Sequence, residues 1–176
     1  LAILPGVEVV EADIHDPGAL ASLLAGVDAA VNLVGILHET ASGDADTPGT
    51  RRGGFRQAHV ALPGKIVAAC RQAGVGRLLH MSALGADPGS PSAYQRSKAE
   101  GEALALKADG PDLAVTVFRP SVIFGPGDSF LSLFAQLLKF APVVPLAGGH
   151  ARFQPVFVGD VARAFADAME NPQTNG

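Results

Sequence analysis

Short apolar runs alternate with longer stretches of mixed polarity along most of the chain, and the two periods separate strands from helices. Residues 7–12 (Val-Glu-Val-Val-Glu-Ala) read as a strand leading to Asp13. Asp16-Pro17 opens a helix, with Asp as its cap and Pro in its first turn, and Gly26 closes it. Residues 27–34 are an apolar strand of the kind found in a parallel sheet covered on both faces. A polar surface loop follows over residues 39–54. Residues 55–73 read as one long helix closed by Gly74, with a kink where Pro63 removes a backbone donor. Then come a strand over 77–81, a helix over 92–108, a strand over 113–118 and a turn at Phe124-Gly125-Pro126-Gly127. The most apolar window, 130–149, is interrupted by Gln136, Lys139, Pro142 and Pro145. It therefore predicts a buried or amphipathic helix ending before Pro142, not a membrane span. Strands alternating with helices require right-handed crossovers and a parallel sheet with helices on both faces, so the fold class is α/β. No repeat or linker divides the chain.

Composition narrows the picture. A chain of 176 residues fits one domain. Hydrophobic residues at 48% and charged residues at 17% exclude intrinsic disorder. Glycine and proline together (21 + 13 = 34) follow no period, which excludes collagen and favours a loop-rich fold. Net charge is −4 and no basic run exceeds Arg51-Arg52, so capture of a nucleic-acid backbone is not expected. Cys70, the one cysteine, cannot form an internal disulfide and sits in an apolar helical stretch, where a thiol is inert packing. The histidines at 15, 38, 59, 80 and 150 have no metal-ligand spacing, so no metal site is expected.

In an open parallel sheet a ligand binds beyond the carboxyl ends of the strands. Those ends carry Asp13-Ile14, Leu33-Val34-Gly35, Ser82 and Arg119-Pro120-Ser121. Just downstream lies the only tyrosine, Tyr94, with Lys98 four residues on and therefore on the same helix face. A phenol near pKa 10 is a poor base at neutral pH, and a neighbouring ammonium lowers that value. A serine hydroxyl at a strand end can hold a substrate oxygen. Spacing alone leaves a second reading open, in which Tyr94 and Lys98 simply face solvent.

The order of these segments resembles the short-chain dehydrogenase/reductase superfamily, in its extended or atypical, epimerase/dehydratase-like branch. Tyr94-x-x-x-Lys98 with Ser82 matches its catalytic motif. Arg119-Pro120-Ser121-Val122-Ile123-Phe124-Gly125-Pro126 and Pro155-Val156-Phe157-Val158-Gly159-Asp160-Val161-Ala162 match two later segments. The stretch from Leu79 to Ala86 with Tyr94 to Lys98 is similar to bacterial relatives of the nucleotide-binding accessory subunit of respiratory complex I.

The resemblance implies a Rossmann-like, doubly wound parallel sheet over 1–176 that binds NAD or NADP and an unidentified small-molecule substrate. Tyr94 would be the acid/base, Lys98 its partner and Ser82 the oxygen-binding donor. Asp13 and Ile14 would meet the adenine, and Leu33, Val34 and Gly35 would pass under the adenosine. Lys98 would also hold the nicotinamide ribose, and Pro120, Ser121 and Val122 would line the nicotinamide pocket. Asp13 can equally cap a turn, Asp160 can cap the helix it begins, and Arg119 can be an ion-pair partner. The implied location is cytoplasmic, either free or peripheral to a membrane respiratory complex as a non-catalytic subunit.

Three departures stand out. Tyr94 follows Ser82 by only twelve positions (94 − 82), which curtails the substrate loop. His59 stands where the family often has Asn. No Gly-x-x-Gly-x-x-Gly turn occurs. The resemblance therefore implies truncation at both ends, with the first strand, the glycine turn and the second strand preceding Leu1 and a substrate lobe beginning near residue 121.

Overall fold

The computed structural model describes residues 5–39, 54–128, 139 and 152–175. Helix α1 (Pro17–Leu24) starts as its sequence dictates: the Asp16 carboxylate accepts from the Gly18 and Ala19 amides, and Pro17 sits in the first turn. Strand β1 (Ala29–Asn32), strand β2 (Arg77–Met81) and strand β3 (Ala114–Phe118) form a parallel sheet in the order β1-β2-β3. Their predicted positions hold, though β1 is shorter than the apolar run that announced it.

Helix α2 (Leu62–Ala73) ends at Gly74 in the left-handed region. Helix α3 (Ala93–Leu106) begins at Ser92, whose hydroxyl accepts from the Gln95 amide. Strands β4 (Ile123–Phe124) and β5 (Val156–Phe157) pair in parallel as a separate small sheet, and helix α4 (Val158–Glu170) follows directly. Helices cover both faces of the main sheet. Leu78 and Val115 pack on one face with Cys70, Val75, Ala105, Ala108 and Leu113, and Leu79 packs on the other with Phe165 and Ala168 of α4. Cys70 is fully buried and burial pushes its thiol up, as an inert packing role requires.

The long helix expected over 55–73 is broken into two kinds of turn. Arg56–Ala61 is π-helical, and the Leu62 amide reaches back to the Gln57 carbonyl, five residues away. Pro63 explains the break: it has no N–H to offer the His59 carbonyl, so the ladder widens ahead of it. The freed carbonyl turns toward Gly101 of α3, where a Cβ would collide with its oxygen and lie 2.9 Å from its carbon.

Two expectations change, and a third is not tested. Residues 7–12 form no ladder among the described residues, and Val7, Val9 and Val10 are 43%, 62% and 55% exposed. β-propensity alone makes no strand where no neighbouring strand supplies hydrogen bonds. Asp160 is not the cap of α4: Phe157 holds that position without a side-chain bond, and Asp160 lies in the first turn, favourable for an anion at the positive end of the helix. The helix expected before Pro142 lies outside the described residues.

Candidate functional site

The carboxyl ends of β1, β2 and β3 meet through backbone and side-chain bonds. The Ser82 amide donates to the Phe118 carbonyl (2.7 Å) and the Leu84 amide to the Pro120 carbonyl (2.8 Å). Asn32, at the end of β1, is 3% exposed. Its amide donates to His80 Nδ1 (3.0 Å) while its oxygen accepts from the Val34 amide (3.1 Å), so one side chain fixes the start of the Leu33-Val34-Gly35 turn against β2.

Helix α3 lays Tyr94, Lys98 and Glu102 on one face by their four-residue spacing. Lys98 is 4% exposed and its ammonium donates to the Met81 carbonyl at 2.7 Å, next to Ser82. Gly35 approaches from β1, and a Cβ placed on it would lie 3.9 Å from Lys98 Nζ and 3.6 Å from His59 Nε2. Tyr94 is half-buried, its ring edge-on to His59 at 5.4 Å and to Phe55 at 5.8 Å. Ser82 and Glu102 are 3% and 4% exposed. The Ser82 hydroxyl lies close enough to the Glu102 carboxylate to help keep it ionised, yet makes no hydrogen bond of full geometry among the described residues.

Burial dominates the electrostatics. It pushes the Tyr94 phenol above its ordinary value, and Lys98 does not offset it. That departs from the lowering expected of the Tyr94–Lys98 spacing, because the ammonium is turned to the Met81 carbonyl. Burial also lowers Lys98, with Glu102 opposing. For Glu102 burial works upward, but the Arg119 guanidinium, bonded to both carboxylate oxygens, outweighs it and holds the carboxyl below its ordinary range. Arg119 is thus an ion-pair partner.

Two histidines flank Lys98. Both His59 and His80 are 2% exposed, and burial followed by the Lys98 ammonium lowers each from 6.5 to about 4. A histidine whose folded value lies below its unfolded value binds its proton more readily when unfolded. Stability is therefore full above about pH 6.5 and falls between there and pH 4. Each histidine contributes a slope of about 1.4 kcal/mol per pH unit. Urea denaturation at pH 7.5 and pH 5.5 is expected to show the loss on the acid side, and equal stability at the two would contradict it.

The remaining predicted site residues are placed as follows. The Asp13 carboxylate accepts from the His15 amide (2.9 Å), so it caps its own turn, and Lys65 anchors that turn by donating to the His15 carbonyl (2.7 Å). No hydrogen bond among the described residues joins Asp13 or Ile14 to the Lys98 group. Leu33, Val34 and Gly35 are exposed at the sheet end. Pro120 and Ser121 line a cleft of about 380 Å³ with Leu84, Phe118, Asp160 and Val161, and the Val122 carbonyl accepts from the Val156 amide (3.0 Å).

Sequence reasoning missed Glu102, Asn32 and His80. Glu102 could have been found by carrying the Tyr94–Lys98 spacing one step further. Asn32 stood out as the polar residue late in an apolar strand run. His80 gave no signal beyond its place in β2.

Comparison with known proteins places the chain in a family and a fold. The family model described as "NAD dependent epimerase/dehydratase family" matches residues 2–176. The rat protein "NADH dehydrogenase [ubiquinone] 1 alpha subcomplex subunit 9, mitochondrial" is 34% identical over 169 residues, covering 95% of this chain and 41% of that protein. The "2-alkyl-3-oxoalkanoate reductase" of Stenotrophomonas maltophilia is 32% identical over 94% of this chain and 53% of its own. Among solved structures, the dTDP-glucose 4,6-dehydratase DesIV of Streptomyces venezuelae, with NAD bound, superposes with a TM-score of 0.73 at 28% identity, covering 95% of this chain and 56% of that one. The chain thus spans about half or less of these relatives' length. The resemblance read from the sequence and the Rossmann-like parallel sheet are both borne out.

Proposed function

This chain belongs to the NAD-dependent epimerase/dehydratase family, and from that premise we propose that it binds NAD or NADP and acts as an oxidoreductase or epimerase. In this reading Tyr94 exchanges the proton at a substrate oxygen, Lys98 is its electrostatic partner and Ser82 holds that oxygen. The observation that carries it is the convergence at the end of β2: the Lys98 ammonium is bonded to the Met81 carbonyl, one residue before Ser82, on the helix face it shares with Tyr94.

The residues present fit a dinucleotide. The Ser82 hydroxyl is buried without a full hydrogen bond of its own, which suits a group that finishes its bonding on a ligand. Lys98 uses one donor on Met81 and has two more for ribose hydroxyls. Gly35 keeps the space over Lys98 and His59 free of a side chain. Asp13 retains a carboxylate oxygen for the adenine amine beside Ile14, while Leu33 and Val34 offer exposed apolar surface to the adenosine. Pro120, Ser121 and Val122 would lie along the nicotinamide, with the substrate lobe beginning near residue 121. The bound nicotinamide supplies a hydride donor or acceptor. The chain's own contribution is to orient the substrate oxygen at Ser82 and move a proton at Tyr94 Oη. Because burial keeps that phenol protonated, the site is set to donate its proton to a carbonyl oxygen at neutral pH.

The test uses the intact natural protein. NADH and NADPH are titrated by fluorescence, and turnover is assayed on 3-oxoalkanoates and nucleotide sugars, the substrate classes in the relatives' names. Saturable binding and turnover on one class are expected, and binding of neither nucleotide would overturn the reading.

One observation favours a second reading. The 34% identity to the rat NADH dehydrogenase subunit extends over 95% of this chain. Here the chain would be a non-catalytic nucleotide-binding subunit on the cytoplasmic face of a membrane respiratory complex. Among the described residues no helix is long and apolar enough to cross a membrane. Tight NADH binding without turnover, together with co-purification of a quinone-reducing NADH dehydrogenase from detergent-solubilised membranes, would select it.

A further inference from the structure

His59 uses both ring nitrogens although it is 2% exposed. Nε2 accepts from the Ile36 amide at 3.1 Å. A nitrogen that accepts carries no proton, so in the neutral ring the proton is on Nδ1, which then donates to Ser97 Oγ at 2.9 Å. The Ser97 hydroxyl donates in turn to the Tyr94 carbonyl at 2.8 Å. The chain of donors therefore runs one way, from Ile36 through His59 and Ser97 to Tyr94.

Both ends of that chain belong to the candidate site. Ile36 follows Gly35, where a Cβ would lie 3.9 Å from Lys98 Nζ. Tyr94 lies in the first turn of α3, and its ring meets the His59 ring edge-on. Phe55 stacks on His59 at 5.3 Å and meets Tyr94 at 5.8 Å. Protonating Nε2 would set an N–H against the Ile36 N–H. Burial and the Lys98 ammonium disfavour the charged ring over the opposing pull of the Ile36 main chain and Glu39. The arrangement works with a neutral ring in a single tautomer.

We propose that His59 is a positioning residue that holds the dinucleotide-facing turn at Gly35–Ile36 in register with the Tyr94 turn, through its Nδ1–H tautomer. The proposal rests on the dinucleotide reading above for its consequence, and on this hydrogen-bond chain for its mechanism. A histidine that merely filled space would be replaced by Phe with no effect beyond packing. Partial replacements separate the two arms: Asn keeps an amide near the reach of Nδ1 and loses Ile36, whereas Gln keeps the reach of Nε2 and loses Ser97.

The experiment compares the intact protein with its His59→Phe, His59→Asn and His59→Gln variants. Histidine ring ¹⁵N spectra of the wild type are expected to show a protonated Nδ1 and an unprotonated Nε2. Hydrogen exchange at the Ile36 amide is expected to stay slow in wild type and His59→Gln and to become fast in His59→Phe and His59→Asn. The NADH Kd is expected to rise roughly tenfold in His59→Phe, where binding must re-order a turn the wild type already holds, with partial recovery in the other two. An Nε2–H spectrum, or slow Ile36 exchange in His59→Phe, would overturn the proposal, as would a His59→Phe Kd equal to that of a wild type that binds NADH. Absence of NADH binding by the wild type would sink the dinucleotide reading instead, and the spectra and exchange would still decide the tether.

Discussion

Tyr94→Phe is expected to lower kcat for carbonyl reduction by about 10²- to 10⁴-fold, the usual worth of a positioned general acid. The NADH Kd should stay within about twofold, a shift too small to register as binding energy. The argument rests on what the substitution leaves in place. Phe keeps the ring that packs edge-on against His59 and Phe55, and it keeps the backbone carbonyl that Ser97 binds. Only the phenolic hydroxyl goes. Steady-state kinetics with the best carbonyl substrate, beside a fluorescence titration of NADH, separate the two effects. A kcat unchanged by the substitution would remove Tyr94 from the chemistry. NADH binding with no turnover in the wild type would instead leave the nucleotide-binding subunit as the surviving reading.

The wild-type pH profile sharpens the same test. Burial raises the Tyr94 phenol, so the proton-donating form dominates through neutral pH. Reduction should therefore be flat across pH 6.5–9, a range below the ordinary phenol value and above the histidine titration. Oxidation needs the phenolate and should climb by about tenfold per pH unit over the same range. Flat oxidation would mean that Tyr94 does not serve as the base.

Much of this site was legible because its parts sit at strand ends and on one helix face, which period and spacing report directly. The four-residue step from Tyr94 to Lys98 and the end of the β2 run at Ser82 need no tertiary knowledge. What escaped was decided by burial and by contacts distant in sequence. The Tyr94–Lys98 spacing suggested a lowered phenol, but spacing cannot say that the ammonium would find the Met81 carbonyl or that the ring would be half-buried. The Asp13 carboxylate read equally as ligand-binding or capping, and in the structure it accepts from the His15 amide. Residues 7–12 show the opposite limit: the Val-Glu alternation carries β-propensity, yet no ladder forms among the described residues. Pro63 predicts a local break in the helix, but the π-turn ahead of it depends on which group the released His59 carbonyl meets. That group is Gly101, forty-two positions on (101 − 59).

Gly101→Ala should therefore destabilise the protein by about 3 kcal/mol, at the upper end for over-packing. For a chain of this size that corresponds to a fall in Tm of roughly 6–12 °C. A Cβ at that position collides with the His59 carbonyl oxygen, with the carbonyl carbon at 2.9 Å and Pro63 Cγ at 3.5 Å. The first obstacle is backbone, which no rotamer change can move aside, so α3 must lift away from the π-turn. Gly64 in α2 supplies the control. It is also helical, but a Cβ there meets nothing within 4 Å. Gly64→Ala should raise stability by about 0.4–1 kcal/mol through the unfolded state alone. The same chemical change thus carries opposite signs at the two positions, which circular dichroism melts of the two variants can read. A Gly101→Ala melt within about 2 °C of wild type, less than the loss of 1 kcal/mol would give, would mean that α3 and the π-turn are not in the close contact from which His59 reaches both Ile36 and the Tyr94 turn.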